Sequence, residues 1–335
     1  MKNMAILVLG GAGYIGSHTV YELIDAGRDV VVADNLLTGF RAAVHPKARF
    51  YELDIRDRKA LDQLFEQEKI EGVIHFAASS QVGESMSDPL KYYDNNLGGT
   101  ICLLESMVAH GVDKIVFSST AATYGEPEKQ PVTEQTPRKP ATSPYGNTKQ
   151  MCEDILRDSL AAYPGMKGIA LRYFNPIGAH PSALIGELPR GVPQNLVPYI
   201  TQTAAGIREC LSVFGDDYPT PDGSNIRDYI DVVDLAKAHV AAIRRMIEDR
   251  NKARYEVFNI GTGRGVSVLE LVHRFEQVNR LKLNYKIVGR RAGDIVAIWA
   301  DPSYANNELG WRAERSLDET LAAAWKWEKH IRGIE

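Results

Sequence analysis

The sequence predicts an α/β protein with a doubly wound parallel sheet, followed by a smaller, loop-rich α/β lobe. Short β-branched apolar runs alternate with longer amphipathic segments through the first 174 residues, which is typical of βαβ units. These runs are apolar on both faces, as expected for strands covered by helices on both sides. After Phe174 prolines and glycines cluster and the alternation ends, which indicates where the second lobe begins.

Each predicted element follows from a local pattern of apolar residues. Short runs rich in valine and isoleucine predict strands at residues 5–9, 30–33, 50–53, 73–77, 115–118 and 169–173. Apolar residues spaced three and four apart predict helices at 17–26, which Gly27 closes, and at 57–68. Two further long apolar helices are predicted after Pro89 and after Tyr145.

Composition limits the classes of function. The 335 residues are 44% hydrophobic and 24% charged, with a formal net charge of -4, so composition gives no electrostatic case for binding nucleic acid or an anionic membrane. The three cysteines, Cys102, Cys152 and Cys210, are far apart and odd in number, which argues against a disulfide framework or thiolate metal site. No apolar segment has the length of a membrane span or the pattern of a signal peptide. We therefore expect a cytoplasmic protein without a metal.

A glycine-rich segment is the first indication of chemistry. Gly10, Gly13 and Gly16 stand directly between the first strand and the first helix. They permit a tight turn and let backbone N–H groups approach a pyrophosphate at the helix N-terminus. Asp34 ends the second strand, about 20 residues further on, where a carboxylate can accept from both ribose hydroxyls and repel a 2′-phosphate. The pattern predicts a Rossmann-type domain that binds NAD; a turn without a ligand, with Asp34 as a simple cap, is the alternative.

A tyrosine and a lysine four residues apart are the second indication. Tyr145 and Lys149 lie at the start of a predicted helix, so they share one of its faces. A phenol with a pKa of about 10 needs a neighbouring cation to act as a base at neutral pH. Alone, the pair could be an exposed aromatic ring crossed by a lysine side chain. Together with the glycine loop and the hydroxyl-rich strand end at 118–120, it is a much stronger indication of a functional site than the pair alone.

The chain resembles the extended short-chain dehydrogenase/reductases and, among them, the epimerases of UDP-sugars. The resemblance runs nearly end to end and rests on residues 10–18, 73–78, 82–85, 92–96, 117–125, 143–149, 171–182 and 223–230. It implies reversible interconversion of UDP-glucose and UDP-galactose by transient NAD-dependent oxidation at C4. The 4-keto sugar then rotates, and hydride returns to its other face.

The same resemblance implies a role for each reacting residue. Tyr145 is expected to remove the 4-hydroxyl proton and Thr120 to hydrogen-bond the same oxygen. Lys149 is expected to hold the ribose and lower the pKa of Tyr145. The implied cofactor-binding residues are Gly10, Gly13, Tyr14, Ile15, Gly16, Asp34, Asn35, Asp54, Ile55, Phe76, Ala77, Ser80, Asn95, Lys149 and Phe174. The implied substrate-binding residues are Thr120, Tyr145, Asn175, Asn195, Ser212, Val213, Phe214, Arg227, Arg291 and Asp294.

Some of these residues have plainer explanations. Two arginines suit a pyrophosphate because guanidinium groups stay charged and bind phosphate oxygens in pairs. Arg227 could instead form an ion pair with the adjacent Asp228. Phe76 and Phe174 could be ordinary core residues. His75 and His180 have no cluster of metal-ligating partners, so structural roles are expected for both.

The resemblance also implies a domain division and an oligomeric state. An NAD-binding domain at 1–174, to which 230–260 returns, is expected beside a UDP-sugar-binding lobe formed by 175–229 and 261–335. Related proteins pair through two helices, so a homodimer joined in a four-helix bundle is expected. Its apolar stripes would comprise Leu97, Ile101, Leu104, Met107, Val108, Ile155, Leu156 and Leu160. Packing of both stripes on the sheet alone would leave a monomer.

Three residues depart from the family pattern. Thr120 replaces a common serine, Ser80 replaces a lysine near the cofactor, and Ala292 replaces an acidic residue. None of these changes removes a reacting group.

Related proteins can have other activities. Two alanines follow Thr120 where a dehydratase would carry acidic residues, so net dehydration is not expected. An epimerase of a UDP-pentose, a UDP-hexuronate or an N-acetylated UDP-hexose stays open, although the branched Ile298 disfavours a 2-acetamido group. A non-catalytic NAD-binding sensor is disfavoured because Thr120, Tyr145 and Lys149 are all present.

Overall fold

A parallel sheet lies at the centre of the molecule, and the computed structural model describes residues 4–291 and 293–334. The strands, in chain order, are β1 (Ala5–Leu9), β2 (Asp29–Asp34), β3 (Arg49–Glu52), β4 (Ile70–His75), β5 (Lys114–Thr120), β6 (Lys167–Tyr173), β7 (Asn175–Ile177), β8 (Leu211–Phe214), β9 (Ile226–Arg227), β10 (Tyr229–Asp231), β11 (Tyr255–Ile260), β12 (Val266–Ser267), β13 (Tyr285–Val288) and β14 (Ala297–Ile298).

The helices pack around this sheet and build most of the second lobe. In chain order they are α1 (Tyr14–Asp25), α2 (Arg58–Gln67), α3 (Val82–Ser87), α4 (Pro89–Tyr92), α5 (Gly99–Ala109), α6 (Pro144–Ala162), α7 (Leu196–Ala204), α8 (Val232–Ile247), α9 (Val268–Asn279), α10 (Ser303–Glu308) and α11 (Leu317–Arg332). A π-helical turn at Tyr93–Gly98 connects α4 to α5.

The seven strands of the main sheet are ordered β11-β6-β5-β4-β1-β2-β3, and all neighbours are parallel. This arrangement confirms the predicted doubly wound sheet. The chain runs from β1 through β2 to β3 at one edge and then crosses back to β4 on the other side of β1. In such sheets, ligands bind in the crevice at the carboxyl ends of the strands, where the order reverses.

Two apolar layers cover the sheet. On one face α1 and α8 bury side chains such as Val20, Leu23 and Ile243. On the other face α2, α5 and α6 bury Leu64, Leu103 and others. The continuous apolar runs that predicted the strands are therefore explained by helices on both sides.

Among the element boundaries that differ from the sequence prediction, two matter for the crevice. Helix α1 begins at Tyr14, three residues earlier than expected, so the glycine loop leads directly into its first turn. Strand β4 ends at His75, because the N–H groups of Phe76 and Ala77 both donate to Leu9 O at the end of β1 (2.9 and 3.1 Å). Phe76 and Ala77 thus lie beyond the strand, at the edge of the crevice.

The second lobe has its own core and small sheets. Strand pairs β8·β13 and β7·β10 and the three strands β12-β9-β14 pack with α7, α9 and α11. The interval 230–260 belongs with the main sheet instead. Helix α8 packs on one face of that sheet, and strand β11 is its edge strand next to β6.

The expected pairing stripes on α5 and α6 are only partly free. Leu104, Met107, Leu156 and Leu160 are buried in the core, because this side of each helix lies on the sheet. Their assignment to a pairing surface was therefore wrong. Ile101 remains exposed on α5. No helix within residues 4–291 and 293–334 has the length and apolar character needed to cross a membrane.

Candidate active site

The glycine loop closes tightly between β1 and α1. Gly10 has a φ of +76°, and a Cβ atom at Gly16 would lie 2.1 Å from Gly10 O, so neither position accepts a side chain without strain. Gly13 precedes α1 and provides no side-chain cap. The N–H groups of the first turn therefore remain available to an anion, which fits a pyrophosphate at this helix terminus.

The Asp34 carboxylate lies beside this loop at the end of β2. Its two oxygens accept hydrogen bonds from Ala12 N (3.0 Å) and Leu36 N (2.8 Å). Burial raises the pKa of Asp34, while these two N–H groups oppose that shift. The carboxylate is held rigidly next to the phosphate-binding loop, where it fits the diol of an adenosine ribose.

The remaining implied cofactor residues are distributed along the carboxyl edge of the sheet. Ala77 touches the glycine loop, since a Cβ on Gly10 would lie 2.7 Å from Ala77 N. Asn35 donates to Asp54 Oδ2 (3.2 Å), and Arg56 binds both oxygens of that carboxylate. Ile55 is buried against α5, and Asn95 lies in the π-helical turn. Ser80 is exposed and Phe76 packs against the core.

The tyrosine and lysine of the second motif lie on α6 against the end of β5. Ser143 caps this helix by accepting from Gly146 N (3.2 Å), so its first turn carries Tyr145 inwards. Lys149 Nζ donates to Ser118 O (2.7 Å) and lies 4.8 Å from the centroid of the Phe117 ring. Thr120 ends β5. The structure thus brings Tyr145, Lys149 and Thr120 together.

Burial controls the protonation of this group. It raises the pKa of Tyr145, to which Tyr173 adds, while a hydrogen bond from Thr120 opposes the shift. Burial lowers the pKa of Lys149 to about 8, while Cys152 and Glu153 oppose that change. Lys149 is not among the groups that shift the pKa of Tyr145, so the expectation that it lowers this pKa stays a prediction.

A buried polar network behind this group was not predicted from the sequence. Glu153 accepts from Ser119 Oγ (2.5 Å) and from Arg172 through Nε (2.9 Å) and Nη2 (2.6 Å). Ser119 immediately precedes Thr120, and Glu153 follows Lys149 by one turn of α6. The one-turn spacing between Lys149 and Glu153 could have indicated this network from the sequence. Its other member, Arg172, lies on a different element, β6.

Two arginines and a carboxylate form the charged centre of the second lobe. Arg291 Nη2 binds Asp294 Oδ1 at 2.8 Å, and Arg227 Nη2 lies 4.0 Å from the same oxygen. Arg227 does not pair with Asp228, whose carboxylate accepts from Thr262 and other backbone N–H groups instead. Burial lowers the pKa of Arg227, so an anion bound beside it would stabilise its charge.

The other implied substrate-binding residues differ in their burial and contacts. Phe214 is exposed at the end of β8, with Arg291 5.4 Å from its ring centroid. Val213 is buried in the core of the lobe, so its side chain cannot contact a ligand and only its backbone could. Asn195 precedes α7 and donates to Glu187 Oε1 (2.6 Å). Asn175 is exposed on β7.

Ser212 is half-buried on β8, and Ala292 lies outside the described residues. Phe174 and Ile298 pack together with Tyr124 in a small cluster next to Thr120. Phe174 is therefore a core residue, whether or not it also contacts the cofactor.

The histidines form local structural contacts. His75 is buried and bonds Thr100 Oγ1 (3.1 Å), and His180 bonds Ser182 Oγ (2.7 Å). In the described part of the chain, no group of three or more His, Cys, Asp or Glu side chains could hold a metal ion.

A family model for the NAD dependent epimerase/dehydratase family matches residues 6–261. The chain therefore belongs to this family, which is the class that the sheet, the glycine loop and the tyrosine–lysine pair define. The resemblance inferred from the sequence is thus confirmed.

Within that family, many of the similar proteins are UDP-glucose 4-epimerases. The enzyme of that name from Bacillus subtilis (strain 168) is 52% identical over 332 residues, which are 97% of each chain. The crystal structure of the Stenotrophomonas maltophila UDP-glucose-4-epimerase, with bound NAD and formylated UDP-arabinopyranose, superposes with a TM-score of 0.95 at 44% identity. The Bifidobacterium longum enzyme in complex with NAD+ and UDP gives 0.94 at 44% identity. Each alignment covers 99% of this chain and 100% of the other.

Proposed function

We propose that the chain is an NAD-dependent isomerase that interconverts UDP-glucose and UDP-galactose. The observation that carries this proposal is the meeting of Tyr145, Thr120 and Lys149 at the carboxyl end of β5, in the crevice that also contains the glycine loop. The names and ligands of the similar enzymes support both the substrate and the cofactor.

The protein groups have distinct roles in this reaction. NAD, when bound, supplies an acceptor and then a donor of hydride for C4 of the sugar. Tyr145 takes the proton of the 4-hydroxyl group and returns it to the same oxygen once the sugar has turned. Thr120 hydrogen-bonds that oxygen, and Lys149, held by Ser118 O, places a positive charge beside it.

The second lobe keeps the nucleotide fixed while the hexose rotates. Arg227 and Arg291 offer two guanidinium groups to the pyrophosphate, and Phe214 offers an exposed ring to the uracil. Binding energy placed on UDP leaves the sugar free to present either face. The buried Ile298 forms part of the wall near Thr120, and a branched side chain there disfavours a 2-acetamido group.

The test is incubation with UDP-galactose and NAD, without any other acceptor. We expect a mixture with UDP-glucose from the wild type, and a rate at least about 100-fold lower from Tyr145→Phe, because that variant lacks the general base. NAD should remain bound to the variant. Tyr163→Phe, an exposed tyrosine at the end of the same helix, is the matched control. Near-normal turnover in Tyr145→Phe would contradict the assignment of the base.

We also propose that the enzyme is a cytoplasmic homodimer. Ile101 on α5 and Met151 on α6 are exposed apolar residues, as are Met86 and Leu90 on α3 and α4. Because α3 and α4 both pack against α6, these side chains lie on neighbouring helices. They would form the pairing surface in place of the buried stripe residues. The free thiols Cys102 and Cys152 are compatible with a reducing compartment.

A further inference from the structure

The segment 35–40, which we call the cofactor rim, folds from the end of β2 back onto the glycine loop. Leu36 N donates to Asp34 Oδ1 (2.8 Å), and Phe40 N donates to Ala12 O (3.0 Å). Gly39 lies so close that a Cβ atom there would be 2.8 Å from Ala12 C. The rim is therefore attached to the Asp34 carboxylate at Leu36 and to the glycine loop at Gly39 and Phe40.

One side chain of the second lobe, that of Arg190, contacts the cofactor rim. Arg190 Nη2 donates to Leu36 O (3.2 Å) and to Gly39 O (3.0 Å). Its guanidinium carbon lies 4.4 Å from the centroid of the Phe40 ring. Three contacts from one arginine thus reach both ends of the rim, across a separation of about 150 residues in sequence.

Asn35, Leu37 and Thr38 of the rim are exposed, although Asn35 also bonds Asp54. Leu37 is 58% exposed, and Leu36 has a φ of 56°, a backbone conformation that side chains disfavour. An adenosine ribose bound to Asp34 would lie against the rim, so movement of the rim would ease its release. That movement would break the Arg190 contacts, since the arginine belongs to the loop that precedes α7 in the second lobe.

We propose that Arg190 is a positioning residue that slows the release of NAD by holding the cofactor rim closed. This inference rests on the proposed function, because it assumes that NAD occupies the crevice beside Asp34. Arginine suits this role because its planar group donates to two carbonyl oxygens while it stacks on a ring.

The test measures NAD release directly rather than turnover. Protein loaded with NAD is freed of excess cofactor and diluted, and the NAD that stays on the protein is measured after filtration at successive times. We expect release from Arg190→Ala to be about tenfold faster than from the wild type, for the loss of two charge-assisted hydrogen bonds and one ring contact. Arg190→Lys, which keeps the charge but not the planar fork, should lie between them.

Arg274→Ala is the matched control, since Arg274 is an exposed arginine of the second lobe that pairs with Asp318 away from the rim. It should release NAD at the wild-type rate. Unchanged release from Arg190→Ala, or equally fast release from Arg274→Ala, would overturn the proposed role of Arg190. A wild-type chain that binds no NAD would overturn the proposed function itself, so the two failures are distinguishable.

Discussion

Tyr145 and Lys149 lie one turn apart on the buried face of α6, and burial moves their pKa values in opposite directions. Desolvation disfavours the charged form of either group, so it raises the pKa of the phenol and lowers that of the ammonium to about 8. Both residues are thereby biased toward neutrality. The lysine in particular should change charge within an accessible range of pH.

Lys149 should leave a signature in stability. Its pKa falls from 10.5 to about 8 on folding, so below pH 8 the native state holds a buried ammonium that costs about 3 kcal/mol. Between pH 8 and 10.5 the native state releases this proton first, and the penalty disappears. We expect the unfolding free energy of the wild type to rise with pH over this interval, relative to Lys149→Met. Urea denaturation of both proteins without cofactor measures the difference, and a constant difference would contradict the buried charge.

At the scale of single residues, spacing in the sequence is enough to propose some site residues but not others. The glycine loop, Asp34 and the pair Tyr145 and Lys149 follow from local patterns, because each pattern lies within one turn or one βαβ unit. Arg190 could not be found in this way, since its partners are about 150 residues distant. The roles of the implied binding residues stay predictions, and for Val213 the structure leaves only the backbone.

The relation between β5 and α6 determines the geometry of the reacting group. Thr120 belongs to the strand, whereas Tyr145 and Lys149 belong to the helix. Besides the contact between Thr120 and Tyr145, two hydrogen bonds join the elements here: Lys149 Nζ donates to Ser118 O, and Ser119 Oγ donates to Glu153 Oε1. Neither Ser119 nor Glu153 takes part in the reaction, so the hydrogen bond between them contributes to the alignment of β5 and α6.

Ser119→Ala should therefore lower turnover without weakening nucleotide binding. We expect kcat to fall about tenfold while KM for UDP-galactose stays near its wild-type value, because small misalignments of reacting groups are costly. Ser159→Ala is the control, since Ser159 bonds only the backbone of its own helix. Steady-state kinetics of the three proteins test this. Equal loss of kcat in both variants, or a rise in KM alone, would show that the β5–α6 contact does not align the site.

Element boundaries show why the fold class is easier to predict from sequence than the details of the crevice. The runs of Val and Ile identify the strands, since buried parallel strands are apolar on both faces. The same run continues through Phe76 and Ala77, although both residues turn away to bond the end of β1. Apolarity does not report where a strand leaves the sheet, because burial continues past its last ladder bond. The seventh strand, β11, likewise depends on a pairing with β6 that no local pattern encodes.

At the scale of the molecule, the exposed apolar residues of α3 to α6 predict how two chains meet. Ile101→Glu would place a charge on this surface, and burying that charge in an interface would be unfavourable. We expect the wild type to sediment as a dimer and Ile101→Glu as a monomer. Ile207→Glu, at a similarly exposed isoleucine of the second lobe, should remain dimeric. A monomeric wild type would contradict the proposed assembly.

The place of β11 at the edge of the main sheet has a consequence for biosynthesis. Strand β6 pairs with β5 on one side and with β11 on the other, yet the chain between β6 and β11 first builds much of the second lobe. A ribosome that has delivered the first 174 residues has therefore released a strand with one bare edge. That edge stays open to wrong partners until residue 260 emerges, so the nascent nucleotide-binding sheet is completed only after residues 175–229 of the second lobe have been synthesised.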